Sequence, residues 1–250
     1  MPKLLMLTND DGIDAKGIKA LEASLDGLGD IIVVAPAAEQ SASSHSLTLG
    51  REILAEKIDE WHYRISGTPT DCVLLAVQGF LKQKPDYLIS GINHGPNMGE
   101  DVTYSGTVSV AIEGMILGIP SIAISSLQRS MNSADETARI ARAVVESMMQ
   151  YGLSQGALLN VNIPDPEIAP IAGVKITKLG SRAYENMLEA KVESENRMTY
   201  LFGGDDPIWT DDDGTDIAAI RKSMVSVTPL HLGLTDYKAI VEMEKWRFRL

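Results

Sequence analysis

The chain has 250 residues, 44% of them hydrophobic, which suits one large α/β domain or a domain with an appendage and excludes a disordered chain. Its 34 acidic residues outnumber 22 basic ones for a formal charge of −12, which excludes a surface adapted to polyanionic DNA or RNA but leaves small anions open where something local supplies positive charge. The opening MPKLLMLTNDDG holds an apolar run too short for a signal peptide or a membrane span, and no later stretch reaches membrane length without charges; with a lone Cys72 that cannot close an internal disulfide, a soluble, cytoplasmic protein is expected.

Leu4 to Thr8 is a strand, Gly17 to Leu25 an amphipathic helix, and Ile31 to Ala35 a β-branched strand closed by Pro36. Gly67-Thr68-Pro69 introduces a helix over 69–81, with the proline where its missing N–H costs little. A strand over Asp86 to Ser90, a helix over Tyr104 to Leu117, a strand over Ser121 to Ser125, a long helix over Ala134 to Tyr151 and a strand over Leu158 to Ile163 follow. Such alternation predicts an α/β fold, a mostly parallel sheet covered on both faces.

Beyond about residue 174 the regular helices stop. VKITKLG, RMTYLF and MVSVTPL read as strands between polar loops, followed by a helix near 235–247. The expected division is a core over 1–173 and a β-rich extension over 174–250 that belongs to the same domain and serves oligomerisation. The acidic stretch Gly203 to Asp216 lacks the ligand spacing of an EF-hand and reads as a solvated loop.

Ligands of open parallel sheets bind outside the carboxyl ends of the strands. Three polar loops should therefore meet at one edge: Asn9-Asp10-Asp11-Gly12, the QSASSHS run from Gln40 to Ser46, and Gly91 to Asn97. Two adjacent acids, a serine hydroxyl and a carboxamide offer oxygen donors only, while the four histidines are scattered and Cys72 stands alone. That donor set favours Mg²⁺ or Mn²⁺ over zinc. The pair Asp10-Asp11 read alone fits a helix N-cap equally well.

Tyr104-Ser105-Gly106-Thr107-Val108 places hydroxyls and an unhindered backbone at the start of a helix, where free N–H groups bind anions. A phosphate about 4 Å from a carboxylate feels roughly 4 kcal/mol of repulsion per unit charge pair, and a helix terminus returns only ~0.3–2 kcal/mol. The three loops contain no lysine or arginine, so a divalent cation is the economical way to make the pocket accept an anion.

Together, NDDG followed by GI, VVAP with QSASSHSLTL, GTPTDCV, SGINHGPNMGEDVTYSGTVSVAIEG, and GTD followed by SVTPL resemble the SurE survival-protein family of metal-dependent nucleotidases, from residue 3 to about 231. The resemblance implies a Rossmann-like three-layer α/β/α fold with a β-rich C-terminal extension that exchanges elements in a homodimer, sometimes a tetramer. It implies hydrolysis of nucleoside 5′- and 3′-monophosphates, and in some members of short polyphosphate. The implied metal ligands are Asp10, Asp11, Ser41 and Asn93, and the implied phosphate pocket Asn97, Ser105, Gly106 and Thr107, with Asn9 inside the same motif. Lys16 stands where the family often has proline, and Ala42 where glycine commonly follows the serine.

The expected chemistry is phosphomonoester hydrolysis, with one Mg²⁺ or Mn²⁺ held by Asp10, Asp11, Ser41 and Asn93, Asp10 helping to orient water, and Ser105, Thr107 and backbone N–H groups holding the remaining phosphoryl oxygens. A non-catalytic nucleotide-binding module is the alternative, opposed by the missing G-x-G-x-x-G after the first strand. An aspartyl-phosphate enzyme is opposed by the adjacency of the acids. His94, in a glycine and proline loop, reads as structural or solvent-facing.

Overall fold

The structure is a computed structural model, and it describes residues 2–128, 130–183, 188–194, 197–202, 208–209 and 212–248. In chain order the elements are β1 (Leu4–Thr8), α1 (Lys16–Leu25), β2 (Asp30–Pro36), β3 (Ala55–Lys57), β4 (His62–Ile65), α2 (Pro69–Leu75), β5 (Tyr87–His94), α3 (Gly106–Ile116), β6 (Ser121–Ser126), α4 (Ala134–Tyr151), β7 (Ala157–Ile163) and β8 (Gly173–Ile176). They continue as β9 (Arg182–Ala183), β10 (Leu188–Ser194), β11 (Arg197–Phe202), β12 (Ile208–Trp209), α5 (Asp216–Arg221), β13 (Met224–His231) and α6 (Tyr237–Met243).

Nine strands form one sheet in the order β3-β4-β2-β1-β5-β6-β7-β13-β8. From β4 to β7 every pairing is parallel, and β13 pairs antiparallel to β7 but parallel to β8. The central strands are apolar because both faces are covered: all five residues of β1 and the last five of β2 are buried. On one face α1 presents Ile18, Leu21 and Leu25, at helical spacing, to a core shared with Val144, Val145 and Met148 of α4. On the other, Cys72 and Val73 of α2 and Val110 of α3 pack on Met6, Ile32 and Leu88. These are the three layers of a Rossmann-like α/β/α fold.

Cys72 is fully buried and burial pushes its thiol pKa well up, as befits a core residue. Helix α2 starts from a complete capping box, Thr68 with Asp71, and Pro69 occupies its first position; the expected helix over 69–81 is α2 continued by a π-helical turn over Ala76–Phe80. The chain runs outward from β1 through β2 to β4 and then returns to β5, β6 and β7 on the other side. The strand order therefore reverses between β1 and β5, where a parallel sheet opens a crevice at its carboxyl edge.

The short β3 and β4 have no counterpart among the sequence expectations. Strand β5 runs on past Ser90 to His94 with a bulge: Ser90 pairs with Ala123 and Asn93 with Ser125, so two residues oppose one. The segment expected as a loop from Gly91 is thus largely strand, and Asn93 stands on the sheet itself. In the extension, VKITKLG holds all of β8 but its first residue, RMTYLF is β11 and MVSVTPL lies in β13, while β10 pairs antiparallel with β11. Helix α5 interrupts the stretch expected to hold no helices before the last one. Of the acidic stretch 203–216, residues 203–207 and 210–211 lie outside the described residues; Asp212 and Asp213 are exposed, but Asp216 is fully buried and not part of a solvated loop.

Candidate active site at the β1/β5 reversal

Strand β1 ends in a tight loop that Asn9 builds. Its Nδ2 donates to Gly12 O at 2.9 Å, its Oδ1 accepts from Gly12 N at 3.2 Å, and the side chain is fully buried. Gly12 takes φ +99°, which an L side chain rarely adopts. Placed at the implied phosphate pocket, Asn9 is seen shaping the loop that carries the two acids.

Asp10 lies 6% exposed, and its Oδ1 accepts a 2.5 Å hydrogen bond from Thr107 Oγ1, across from the first turn of α3. Its backbone carbonyl accepts from Gln40 N at 2.7 Å, which holds the loop after β2 against β1. Asp11 is half-buried and its Oδ2 accepts from the backbone N–H of His94 at 3.3 Å, so the second acid faces the end of β5. Burial raises the pKa of Asp10, opposed by the Thr107 hydrogen bond. Burial first, and the Asp10 charge second, push Asp11 up to about 6. Two neighbouring acids whose charged forms are disfavoured by burial are the setting in which a cation is welcome.

Asn93 donates its Nδ2 to Gly95 O at 2.8 Å, which commits the nitrogen and leaves the carbonyl oxygen as the available donor atom. Ser41 is exposed and donates its hydroxyl to Glu39 Oε1 at 2.6 Å. Asp10, Asp11, Asn93 and the Ser41 loop are thus gathered at the reversal point, with the Ser41 hydroxyl turned toward Glu39. His94 is exposed and takes part through its backbone.

On the anion side, Ser105 is the N-cap of α3, its Oγ accepting from Val108 N at 3.1 Å, so its own O–H remains able to donate. Gly106 has no room for a side chain: a Cβ there would stand 2.8 Å from Asp10 Oδ2 and 2.9 Å from Ser43 Oγ. Asn97 is held at every polar backbone atom and one side-chain atom. Its N–H donates to Asn162 Oδ1 at 2.8 Å, its carbonyl accepts from Asn160 Nδ2 at 2.8 Å and Asn162 Nδ2 at 2.9 Å, and its Nδ2 donates to Ser125 Oγ at 2.8 Å.

Two residues of this site had no distinguishing mark in the sequence. Glu39 adds negative charge that raises both Asp10 and Asp11. Ser43 keeps a buried hydroxyl with no hydrogen-bond partner beside Gly106. Nothing in QSASSHS separates this serine from its neighbours; only the approach of the α3 N-terminus does. The loop is tied to α3 by His45 Nε2 on Glu113 Oε2 at 2.8 Å, and to the turn before α3 by Ser44, whose N–H and hydroxyl donate to Tyr104 O and Thr103 O.

Among the described residues no group of three or more His, Cys, Asp or Glu side chains could hold a metal, so the donor set at the reversal point is two carboxylates supplemented by neutral oxygens. Such a set suits a hard dication, and the unpartnered Ser43 hydroxyl and the side-chain-free cradle at Gly106 fit an oxyanion ligand beside it. A cavity of about 210 Å³ lined by Asp11, Lys16 and His94 opens on the same edge. Larger hollows of about 510 and 620 Å³ lie beside His62 and between α4 and β8, away from these acids.

Fold and site define a class: a doubly wound α/β protein with an oxygen-only, acid-paired crevice at its strand reversal. The family model "Survival protein SurE" matches residues 5–186, and the chain belongs to that family. It is 43% identical to a protein of Heliobacterium modesticaldum named 5′-nucleotidase SurE, over 97% of this chain and 91% of the relative. It is 44% identical to one of the same name from Aquifex aeolicus, over 96% of each. The crystal structure of the SurE protein from Aquifex aeolicus superimposes with a TM-score of 0.86 at 41% identity, covering 96% of this chain and 98% of that one.

Proposed function

We infer that this protein is a divalent-metal-dependent phosphomonoesterase that hydrolyses nucleoside 5′- and 3′-monophosphates to nucleoside and phosphate, with short polyphosphate a further substrate. The observation that carries the reading is the convergence of Asp10 and Asp11 with the α3 N-terminus: Asp10 Oδ1 accepts from Thr107 of the proposed anion pocket at 2.5 Å, so a phosphate held in that pocket would lie against a carboxylate and be repelled unless a dication intervenes. The names of the relatives support the substrate class.

Asp10, Asp11, Asn93 and Ser41 would hold one Mg²⁺ or Mn²⁺, the serine after releasing Glu39. When bound, such an ion neutralises the acids and lowers the pKa of water. The protein's own residues do the rest. Asn97, the Ser105 hydroxyl, the Gly106 and Thr107 backbone N–H groups and, once it releases Asp10, the Thr107 hydroxyl bind and orient the phosphoryl group. These donors face the oxygens that gather charge as the ester bond breaks. Asp10 helps to orient the attacking water.

The protein is proposed to act as a homodimer that can pair further into a tetramer, with residues 1–173 as the catalytic core and 174–250 as the extension used in assembly. Helix α6 supports this: it buries none of its residues, and Leu234, Tyr237, Val241, Trp246 and Phe248 around it are all more than half exposed. Among the described residues no helix is long and apolar enough to cross a membrane. A cytoplasmic location is proposed, in keeping with the single buried thiol.

To test the activity, divalent ions are stripped with chelator and phosphate release from 5′-AMP is followed before and after Mn²⁺ or Mg²⁺ is restored. Loss and recovery are expected. Turnover that ignores the chelator overturns the metal-dependent reading, and nucleotide binding without phosphate release under any metal makes this a binding module.

A further inference from the structure

Four of the residues assigned to the phosphate pocket, Asn97, Ser105, Gly106 and Thr107, lie on one eleven-residue span. One end of that span is locked by Asn160, Asn162 and Ser125 of the sheet. Its third residue, Gly99, is held by a residue more than a hundred positions away. Asp216, the first residue of α5, is fully buried; its Oδ2 accepts from Gly99 N at 2.9 Å, and its Oδ1 accepts from Gly180 N at 2.7 Å and from its own neighbour Ile217 N at 2.8 Å.

The surroundings are built for this carboxylate. A Cβ on Gly180 would stand 3.0 Å from Asp216 Oδ1 and 2.3 Å from Ile217 Cδ1, and one on Gly99 would stand 3.0 Å from Gly180 O. The Asp216 N–H donates to Lys178 O at 2.9 Å, and Lys178 N donates to Gly214 O at 3.0 Å, so the turn at 178–180 and the start of α5 are bound into one piece. Ser181 Oγ adds a 2.6 Å hydrogen bond to Glu100 Oε1. Three segments distant in sequence therefore meet at one carboxylate, two from the C-terminal extension and one from the pocket's span. Backbone N–H groups turned on an ionised acceptor make strong, short bonds.

We propose that Asp216 is a positioning residue for the phosphate pocket, through which the C-terminal extension sets the pocket's affinity for the phosphoryl group. This rests on the phosphatase reading of the same pocket. Asp216 touches neither the acids at the strand reversal nor the substrate; it acts through Gly99. Loosening Gly99 slackens the stretch beside Asn97, which Ser181 and Ser44 hold farther along, and leaves Asp10 and Asp11 where they are.

The test is steady-state kinetics on Asp216→Asn, whose amide side cannot accept from a backbone N–H. Losing one such bond to a charged acceptor is expected to raise KM for 5′-AMP and the inhibition constant of inorganic phosphate each about tenfold, with kcat changing less than about threefold. Equal KM and phosphate inhibition in variant and wild type overturn the proposal, as does a fall in kcat alone.

A second measurement needs no variant. Hydrogen exchange of the wild-type protein with Mn²⁺ is compared with and without saturating inorganic phosphate. Slower exchange in 97–107 together with 178–181 and 212–217 is expected; protection confined to 97–107 overturns the coupling. A wild type inert toward every mononucleotide sinks the nucleotidase reading, and the exchange result still decides this one.

Discussion

Asp11 shows how a single environment turns an ordinary acid into a site. Its pKa of about 6 comes from burial and from the charge of Asp10, so the folded metal-free protein holds a proton that the unfolded chain, near 3.8, has released. A raised folded pKa gives stability that is present below the unfolded value and is lost as pH rises through the folded one. The urea midpoint of metal-free protein is therefore expected to fall between about pH 4 and pH 6, and added Mn²⁺ should restore it above pH 6. Asp11→Asn should lessen that pH dependence, which Asp10 and Asp101 share because burial raises them too, and, because groups that merely support metal ligands already cost about 10–100-fold, lower turnover by at least about 100-fold. Lys16 carries a separate residue-scale prediction. It is the first residue of α1, and Ala15 before it sits at φ −64°, ψ 146°, the extended conformation that a following proline demands. Lys16→Pro should stabilise the protein by about 0.4–1 kcal/mol in denaturant unfolding, which also explains the family's proline there. Ala42 stands at φ +55°, a region that favours glycine, and that accounts for the family's usual glycine after the serine.

At the scale of elements, what was legible in the sequence followed from period and punctuation. Buried strands such as β1 and β2 are continuous apolar runs, and α1 and α4 carry clean helical stripes, so their bounds could be read within a residue or two. Strands β3 and β4, AEK and HYRI, are short, polar and at the sheet's margin, and no periodicity marks them. Past Ser90 a glycine reads as a stop, yet β5 continues because the bulge absorbs Gly91 and Ile92 and the ladder resumes at Ser125. For the site, the acids and the Ser105–Thr107 turn stood out because their residue types have a chemical reason to follow a strand or open a helix. Ser43, Glu39 and Asp216 did not, since their roles come from contacts between distant segments. One of these contacts is that of the α3 N-terminus with the loops that follow β1 and β2. Gly106→Ala would push a methyl into Asp10 Oδ2 and Ser43 Oγ, and a displacement of about 1 Å at a reacting site is expected to lower kcat/KM by about 100-fold, measured with 5′-AMP under saturating metal, while α-helical content stays unchanged.

For the whole molecule, the sheet supplies a rigid frame, the strand reversal a crevice, and the extension two strands that complete the sheet's far edge along with a tail that has nothing of its own to cover. Deleting residues 236–250 removes no buried residue of α6 and should leave the fold intact while halving the mass in sedimentation equilibrium at micromolar concentration. An unchanged mass would contradict the proposed role of this tail in the dimer. Oxygen donors from separate strand ends are proposed to hold one dication so that an acidic crevice of a −12 protein can take up a phosphoryl group. Calorimetric titration of inorganic phosphate into the protein, with chelator and then with Mn²⁺, tests it most directly. Binding of one phosphate per chain only when Mn²⁺ is present is the predicted result; phosphate that binds as tightly in chelator as in Mn²⁺ contradicts it.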